Sequence, residues 1–282
     1  IVFGDWSSDV CSSDLIETFH MDISKELNGA GSKQLKLIIR EIRQLLQSAP
    51  PALYDAAYDL VVSNGELMST AIVSDYLNLS GLTNQELDAR KVLITNEAYR
   101  NARVSWEETS GKIRAAFDES NPEQFAPVTI TQGFIGSSAN GHPVTLGREG
   151  SDFSAAIFAY ALDAGEMIIW KDVPGVLNAD PRYFDDTVLL NRISYRDAIE
   201  LAYFGASVIH PKTIQPLQNK NIPLYVKSFE KPEEIGTLIH SFEDQPLNTP
   251  CYIVKKEQVL VSVSPNDFSF IAEDGLHTIF GL

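Results

Sequence analysis

Residues 144–159 constrain this chain more than any other stretch. Val144, Thr145 and Leu146 form a short apolar run. Gly147, Arg148, Glu149 and Gly150 form a tight polar turn, and Ser151 and Asp152 open the Ala-rich segment Phe153-Ser154-Ala155-Ala156-Ile157-Phe158-Ala159. Such a pattern reads as strand, loop and helix N-terminus. The two glycines allow close backbone approach, Ser151 is placed to cap, and the free N–H groups of the first helical turn carry partial positive charge. Arg148 adds a guanidinium suited to a carboxylate or phosphate. The same residues also suit an ordinary glycine turn with a solvated arginine, so the rest of the chain has to decide.

Strands and helices alternate around this segment. Leu35, Ile38, Ile39, Ile42, Leu45 and Leu46 recur at helical spacing between Ser32 and Ser48, and Pro50-Pro51 ends that helix. Residues 60–63 read as a strand, with Asn64-Gly65 turning it into a helix over 66–79. Glu66 then lies at the strand's carboxyl end, either as a dipole partner or as a receiver for a substrate ammonium. Residues 88–94 read as another strand, 109–117 as a helix, and 126–136 as a buried strand entering a Gly-rich turn. Residues 137–143 read as a hairpin tip.

Beyond a helix over 151–164, residues 166–170 form an apolar strand. Lys171 and Asp172 follow it, where ligands gather in open α/β sheets. Arg182, in the Asp180-Pro181-Arg182 loop, is a phosphate contact or a surface arginine. Ser194 and Asp197 have capping spacing before a helix over 198–204, and Pro211 suits a first helical position. His210 reads as a structural histidine in a tight turn. Strands at 223–227 and 236–239 complete an α/β fold with a mostly parallel sheet sandwiched by helices.

The 282 residues carry a net charge of −16 without a basic run, which argues against a nucleic-acid partner or an anionic membrane. No apolar run is long enough for a membrane span. Two cysteines, Cys11 and Cys251, give no disulfide framework, and a cytoplasmic enzyme fits. Residues 1–15 resemble the translation of a sequencing adaptor and show no secondary-structure period. They are expected to be an artefact, the alternative being a disordered terminus. After a polar linker over 241–250, Val259, Val261 and Val263 alternate as a half-buried strand, and Leu276, Ile279 and Phe280 begin a helix. This is the start of a second α+β domain, or else a last edge strand of the first.

Five segments together resemble the aspartate kinases of the amino-acid kinase fold: Ser63-Asn64-Gly65-Glu66, Gly133-Phe134-Ile135-Gly136, the 145–152 motif, residues 170–182 and residues 204–211. The resemblance implies ATP-dependent phosphorylation of the L-aspartate β-carboxylate, with Mg2+ accompanying ATP. It implies that Arg148 and Asp152 serve catalysis, and that Glu66, Arg148, Glu149, Gly150 and Ser151 bind aspartate. Lys171, Asp172, Leu177, Arg182, Ser207 and Val208 correspond to ATP contacts.

The tail over 251–282 resembles the start of an ACT domain, which implies an allosteric amino acid such as lysine or threonine and a homodimer. Residues 16–240 would be a kinase domain without the Gly-rich phosphate loop that opens this family. Four positions depart from the family pattern. Glu149 replaces a common glycine, Leu177 a common tyrosine and Ser207 a common lysine, while Lys171 stands where threonine or serine is usual; Lys171 is therefore expected to supply the charge Ser207 lacks. Another amino-acid kinase, or a non-catalytic amino-acid-binding regulator, shares part of this pattern.

Overall fold

The computed structural model describes residues 10–29, 31–48, 51–118, 126–204, 208–242, 249–254, 256 and 259. The chain opens with three helices, α1 (Val10–Asn28), α2 (Lys33–Gln47) and α3 (Tyr54–Leu79). α2 begins where Ser32 accepts the Leu35 N–H, and it buries Leu35, Ile38 and Ile39 against α3. α1 includes residues 10–15, for which no period was expected. Arg43 of α2 pairs with Glu17 at 2.5 Å and lies 3.6 Å from Asp14, tying this helix to its neighbour.

α3 corrects a second expectation. Residues 60–63 are helical rather than extended, and Glu66 lies within α3 rather than at a strand end. The Asn64 side-chain amide donates to the Leu60 carbonyl at 2.7 Å, so it supports the helix where a turn was expected. Gly65 costs a helix interior only about 1 kcal/mol. Burial of Leu67, Met68, Ala71 and Ile72 outweighs that cost.

Next come β1 (Gln85–Leu87), α4 (Ala89–Val92), β2 (Ile94–Thr95) and α5 (Trp106–Ala116). The strand expected over 88–94 is mostly this one-turn helix, because Asp88 caps it by accepting the Arg90 N–H. The Asp88 carboxyl is raised by burial, but the hydrogen bonds and charge of Arg90 outweigh that and hold it below the usual range.

The strands β3 (Thr129–Thr131), β4 (Ile135–Ser138) and β5 (Pro143–Thr145) precede α6 (Gly150–Ala161). β4 and β5 form the expected hairpin, β2 pairs parallel with β4, and β1 pairs parallel with β3. The last unit comprises β6 (Met167–Lys171), β7 (Arg192–Ser194), α7 (Tyr195–Phe204), α8 (Pro211–Lys220), β8 (Leu224–Ser228) and β9 (Thr237–His240). Its sheet order is β6-β8-β9-β7.

Four of the six strand pairings are parallel, which bears out the α/β class. Met167, Ile169, Leu224, Val226 and Ile239 are buried with Ile214 and Leu217 of α8 and Ala156 of α6. The other face is more open: Ile168 and Trp170 of β6 are exposed. Ser194 accepts the Asp197 N–H at 3.0 Å and donates to its carboxylate at 2.7 Å, the expected cap of α7. The Tyr195 hydroxyl donates to the Ile222 carbonyl, and burial pushes its pKa up to about 12.

From residue 251 onward, Ala179 and Tyr252 form an isolated parallel bridge. Val261, Val263, Leu276, Ile279 and Phe280, and with them the strand and helix expected there, lie outside the described residues.

Candidate functional site

The 144–152 segment folds as strand, turn and helix start, but Ser151 does not cap: it lies inside α6, and the cap position is Glu149, whose side chain makes no capping hydrogen bond. β5 ends at Thr145, Gly147 takes φ +79°, and α6 starts at Gly150. A Cβ on Gly147 would lie 2.9 Å from the Arg100 carbonyl oxygen, and one on Gly150 would lie 2.7 Å from the Phe134 ring. Glycine is required at both positions by close approach, and at Gly147 by its positive φ as well.

The neighbouring turn is locked to the same helix. The Phe134 N–H donates to Ser154 Oγ at 2.9 Å, and Ser154 donates to the Gly150 carbonyl at 2.8 Å. A Cβ on Gly133 would approach Ser151 Cα to 2.9 Å. Two turns that read separately in the sequence therefore form one surface.

Asp59 anchors this surface from α3. Fully buried, it accepts the Arg100 N–H at 2.9 Å, the Thr145 N–H at 2.8 Å and the Thr145 hydroxyl at 2.8 Å. Sequence reasoning missed it. The available signal was an acid in helical register with Ser63, Glu66, Thr70 and Ser74, a polar stripe on an otherwise apolar helix. Glu66 lies on that stripe about 10 Å beyond Asp59, from the helical rise per residue. It is half-buried, and burial raises its carboxyl above the usual range.

Arg148 is exposed, with no hydrogen bond or ion pair to the described residues. Ser151 is exposed one position into α6. Glu149 takes the left-handed conformation (φ 53°, ψ 32°) and keeps Oε2 buried without a partner among the described residues. Left-handed backbone costs an ordinary residue about 1–2 kcal/mol, a physical reason for glycine at this position.

The nucleotide-side candidates meet this surface at one point. Lys171, last residue of β6, pairs with Asp152 in the first turn of α6 at 2.8 Å. Their side chains are only 27% and 16% exposed, so the attraction is less screened than on an open surface. Asp172 is exposed and Leu177 half-buried in the following loop, where Leu177 bridges Leu189. That loop is held by Thr237, which accepts the Val176 N–H at 2.8 Å.

Arg182 forms a fork with Asp180 two residues away, with contacts of 2.6–3.0 Å, and is 79% exposed. Val208 packs against the core of the β6-β8-β9-β7 sheet, and Ser207 lies outside the described residues. His210 caps α8 by accepting the Lys212 N–H, in keeping with its structural reading. Thus Arg148, Glu149, Gly150, Ser151, Asp152 and Lys171 cluster around the start of α6. The geometry places Glu66 on the stripe leading from Asp59, and Arg182 in a local pair.

Among the described residues, no group of three or more His, Cys, Asp or Glu could hold a metal ion, and no helix is long and apolar enough to cross a membrane. A magnesium ion carried on nucleotide phosphates needs only one or two protein carboxylates. Asp152 and Asp172, at the α6 start and the β6 end, are the candidates for that role.

An α/β fold with a glycine turn at a helix N-terminus, facing the carboxyl end of a parallel strand, is an arrangement suited to binding anions. Residues 14–228 match the Amino acid kinase family, and the chain belongs to that family. Within it, the chain is similar to lysine-sensitive aspartokinase 3 of Escherichia coli (strain K12), with 34% identity over 82% of this chain and 51% of that one. It is also similar to the chloroplastic bifunctional aspartokinase/homoserine dehydrogenase 2 of Zea mays, with 35% identity over 80% of this chain and 25% of the relative.

Among solved structures, E. coli aspartokinase III in complex with aspartate and ADP superposes with a TM-score of 0.71. It shows 33% identity over 81% of this chain and 51% of that chain. The aspartate kinase of Clostridium acetobutylicum gives a TM-score of 0.69 and 28% identity, covering 84% and 49%. The chain spans about half the length of the E. coli relative and a quarter of the maize one.

Proposed function

We propose that this chain is the kinase portion of an aspartate kinase, transferring the ATP γ-phosphoryl group to the β-carboxylate of L-aspartate. The observation that carries this reading is the Lys171–Asp152 pair, which joins the carboxyl end of β6 to the anion-facing start of α6. Phosphoryl transfer relies on positioning and charge neutralisation. A carboxylate with a pKa near ~3.9 is already a nucleophile at neutral pH and needs no base.

On this reading Arg148 grips a carboxylate of aspartate, Glu66 takes its ammonium, and the Gly150-Ser151 backbone with Glu149 borders the substrate. Lys171 neutralises phosphate charge in place of the cation absent at Ser207, and Asp152 orients Lys171. Asp172, Leu177, Arg182 and Val208 border the nucleotide, and magnesium enters with its phosphates. For Arg182 to reach a phosphate, its fork with Asp180 has to open or turn.

Residues 16–240 are then the kinase region, 241–250 a linker, and 251–282 the start of an ACT domain for an effector such as lysine or threonine. A cytoplasmic homodimer accompanies this reading. Residues 1–13, ahead of the family match, are proposed as foreign to the domain.

The test is ATP-dependent acyl phosphate formation, trapped as hydroxamate, by the chain and by the reading frame that contains it, with aspartate, glutamate and N-acetylglutamate as competing acceptors. Preference for aspartate is expected. Phosphorylation of another acceptor, or amino-acid binding without turnover by the full reading frame, contradicts the proposal.

A further inference from the structure

A second concave site lies behind the first. Residues 101–104, the start of α5, one face of α6 and the outer side of α8 enclose a cleft of about 770 Å³. That volume lies within the range of small-molecule sites. Its apolar wall is aromatic: Trp106 meets Tyr160 edge-on at 5.2 Å and Phe153 at 6.3 Å between ring centres. Phe153 and Tyr160 are seven residues apart and share a face of α6. Asp152, next to Phe153, pairs instead with Lys171.

The charge of this cleft opposes that of the whole chain. In a protein of net charge −16, the cleft's lining contains Arg103 and Lys212 but no carboxylate. Glu107 and Glu108 in the first turn of α5 are not part of the lining. Lys212 Nζ donates to the neutral Asn101 side chain at 2.7 Å, and it has no carboxylate partner among the described residues. By contrast, nearby Lys220 pairs with Asp163 and stacks on Tyr160 at 4.3 Å, as expected of a surface lysine in an acidic protein. Gln215 and Asn219 add amide groups that make no hydrogen bond to the described residues.

We infer that this cleft binds a small organic anion with a flat apolar body. Its charged end would meet Lys212 and Arg103, and its flat body would pack on Trp106 and Phe153. Each half has a separate physical basis: a charge-assisted hydrogen bond to an ammonium with no charged partner, and burial of a ring against aromatic side chains.

Occupancy reaches the first site through Asn101. The Asn101 side-chain oxygen that accepts from Lys212 also lies 3.1 Å from where a Cβ on Gly147 would sit. An anion that draws Lys212 away from Asn101 therefore alters the contact behind the Gly147-Arg148 turn. This inference concerns binding alone and does not depend on which acceptor the first site phosphorylates.

The experiment is a titration of the full chain with benzoate, followed by ligand-observed and 15N amide NMR. Benzamide serves as the uncharged flat control and inorganic phosphate as the anion without a ring. Benzoate is expected to bind tighter than phosphate, which has no ring to pack, and at least about tenfold tighter than benzamide, the worth of one charge-assisted hydrogen bond. Lys212→Gln should remove that preference, and Lys212→Arg should retain it. Trp106→Leu should weaken benzoate while leaving phosphate unchanged, and the Gly147 amide should shift on saturation.

Thermal unfolding of each variant separates lost binding from lost folding, and the exposed position of Lys212 favours an intact fold. Equal binding of benzoate and benzamide, absence of saturable benzoate binding to the folded chain, or an unchanged affinity in folded Lys212→Gln would each overturn the inference.

Discussion

The two halves of the candidate active site are built differently. On the substrate side, residues far apart in sequence hold one another: Asp59 reaches Thr145 across 86 positions, and Phe134 reaches Ser154 across 20. On the nucleotide side, Arg182 pairs with Asp180 only two positions away. Long-range buried hydrogen bonds fix a surface in advance, whereas an exposed local fork can open for a ligand at little cost. The proposed substrate side is therefore preorganised and the proposed nucleotide side adaptable, and the two meet at Lys171 and Asp152.

The sharpest way to break this contrast is Asp59→Ala. It strands the part-buried Arg100 N–H and both buried donors of Thr145, so urea unfolding should show a loss of about 2–6 kcal/mol, at about 1–3 for each buried group left without a partner. A loss near zero would mean that the substrate side is not held in this way.

Glu66 comes next. Burial raises its carboxyl, so charging it costs the folded state more than the unfolded one. That cost is absent below the ordinary glutamate value and grows as pH rises through the raised one. A substrate ammonium offsets it, so aspartate binding should release a proton and tighten as pH rises through that window. Calorimetry in buffers of different ionisation heat measures the proton directly. Glu66→Gln should abolish the release while leaving the fold at least as stable above the window.

A smaller effect is expected at Glu149. Glu149→Gly relieves left-handed strain and removes a buried unpaired oxygen, so the chain should gain about 1 kcal/mol in urea unfolding. Loss of stability would show that its carboxylate has a partner in solution. The smallest effect belongs to Arg182→Ala, which should leave the unfolding midpoint unchanged while weakening ATP. A clear drop in the midpoint would make the Asp180 fork structural, and the contrast between the two sides would fail.

What the sequence disclosed follows the same division. The Leu35, Ile38, Ile39 stripe of α2, the glycine turn before α6, and the Ser194 cap of α7 are local signals, and each was readable. The length of α3 was not. Asn64-Gly65 carries turn chemistry, and only the packing of Leu67, Met68, Ala71 and Ile72 against other elements overrides it. Asp59 was hidden for the same reason, because its partners lie more than 40 residues away. The Lys171–Asp152 pair was half legible: both residues were singled out from motifs, but nothing local indicated that they touch.

The measurement that bears most directly on the account is steady-state hydroxamate formation by Lys171→Met beside the parent protein, in the full reading frame, with aspartate and MgATP varied in turn. If Lys171 neutralises charge where the two halves meet, kcat should fall about 100-fold or more, as on removal of one preorganised stabilising group, while the KM for aspartate changes little. An unchanged kcat, or a loss expressed only in the KM for aspartate, would contradict it.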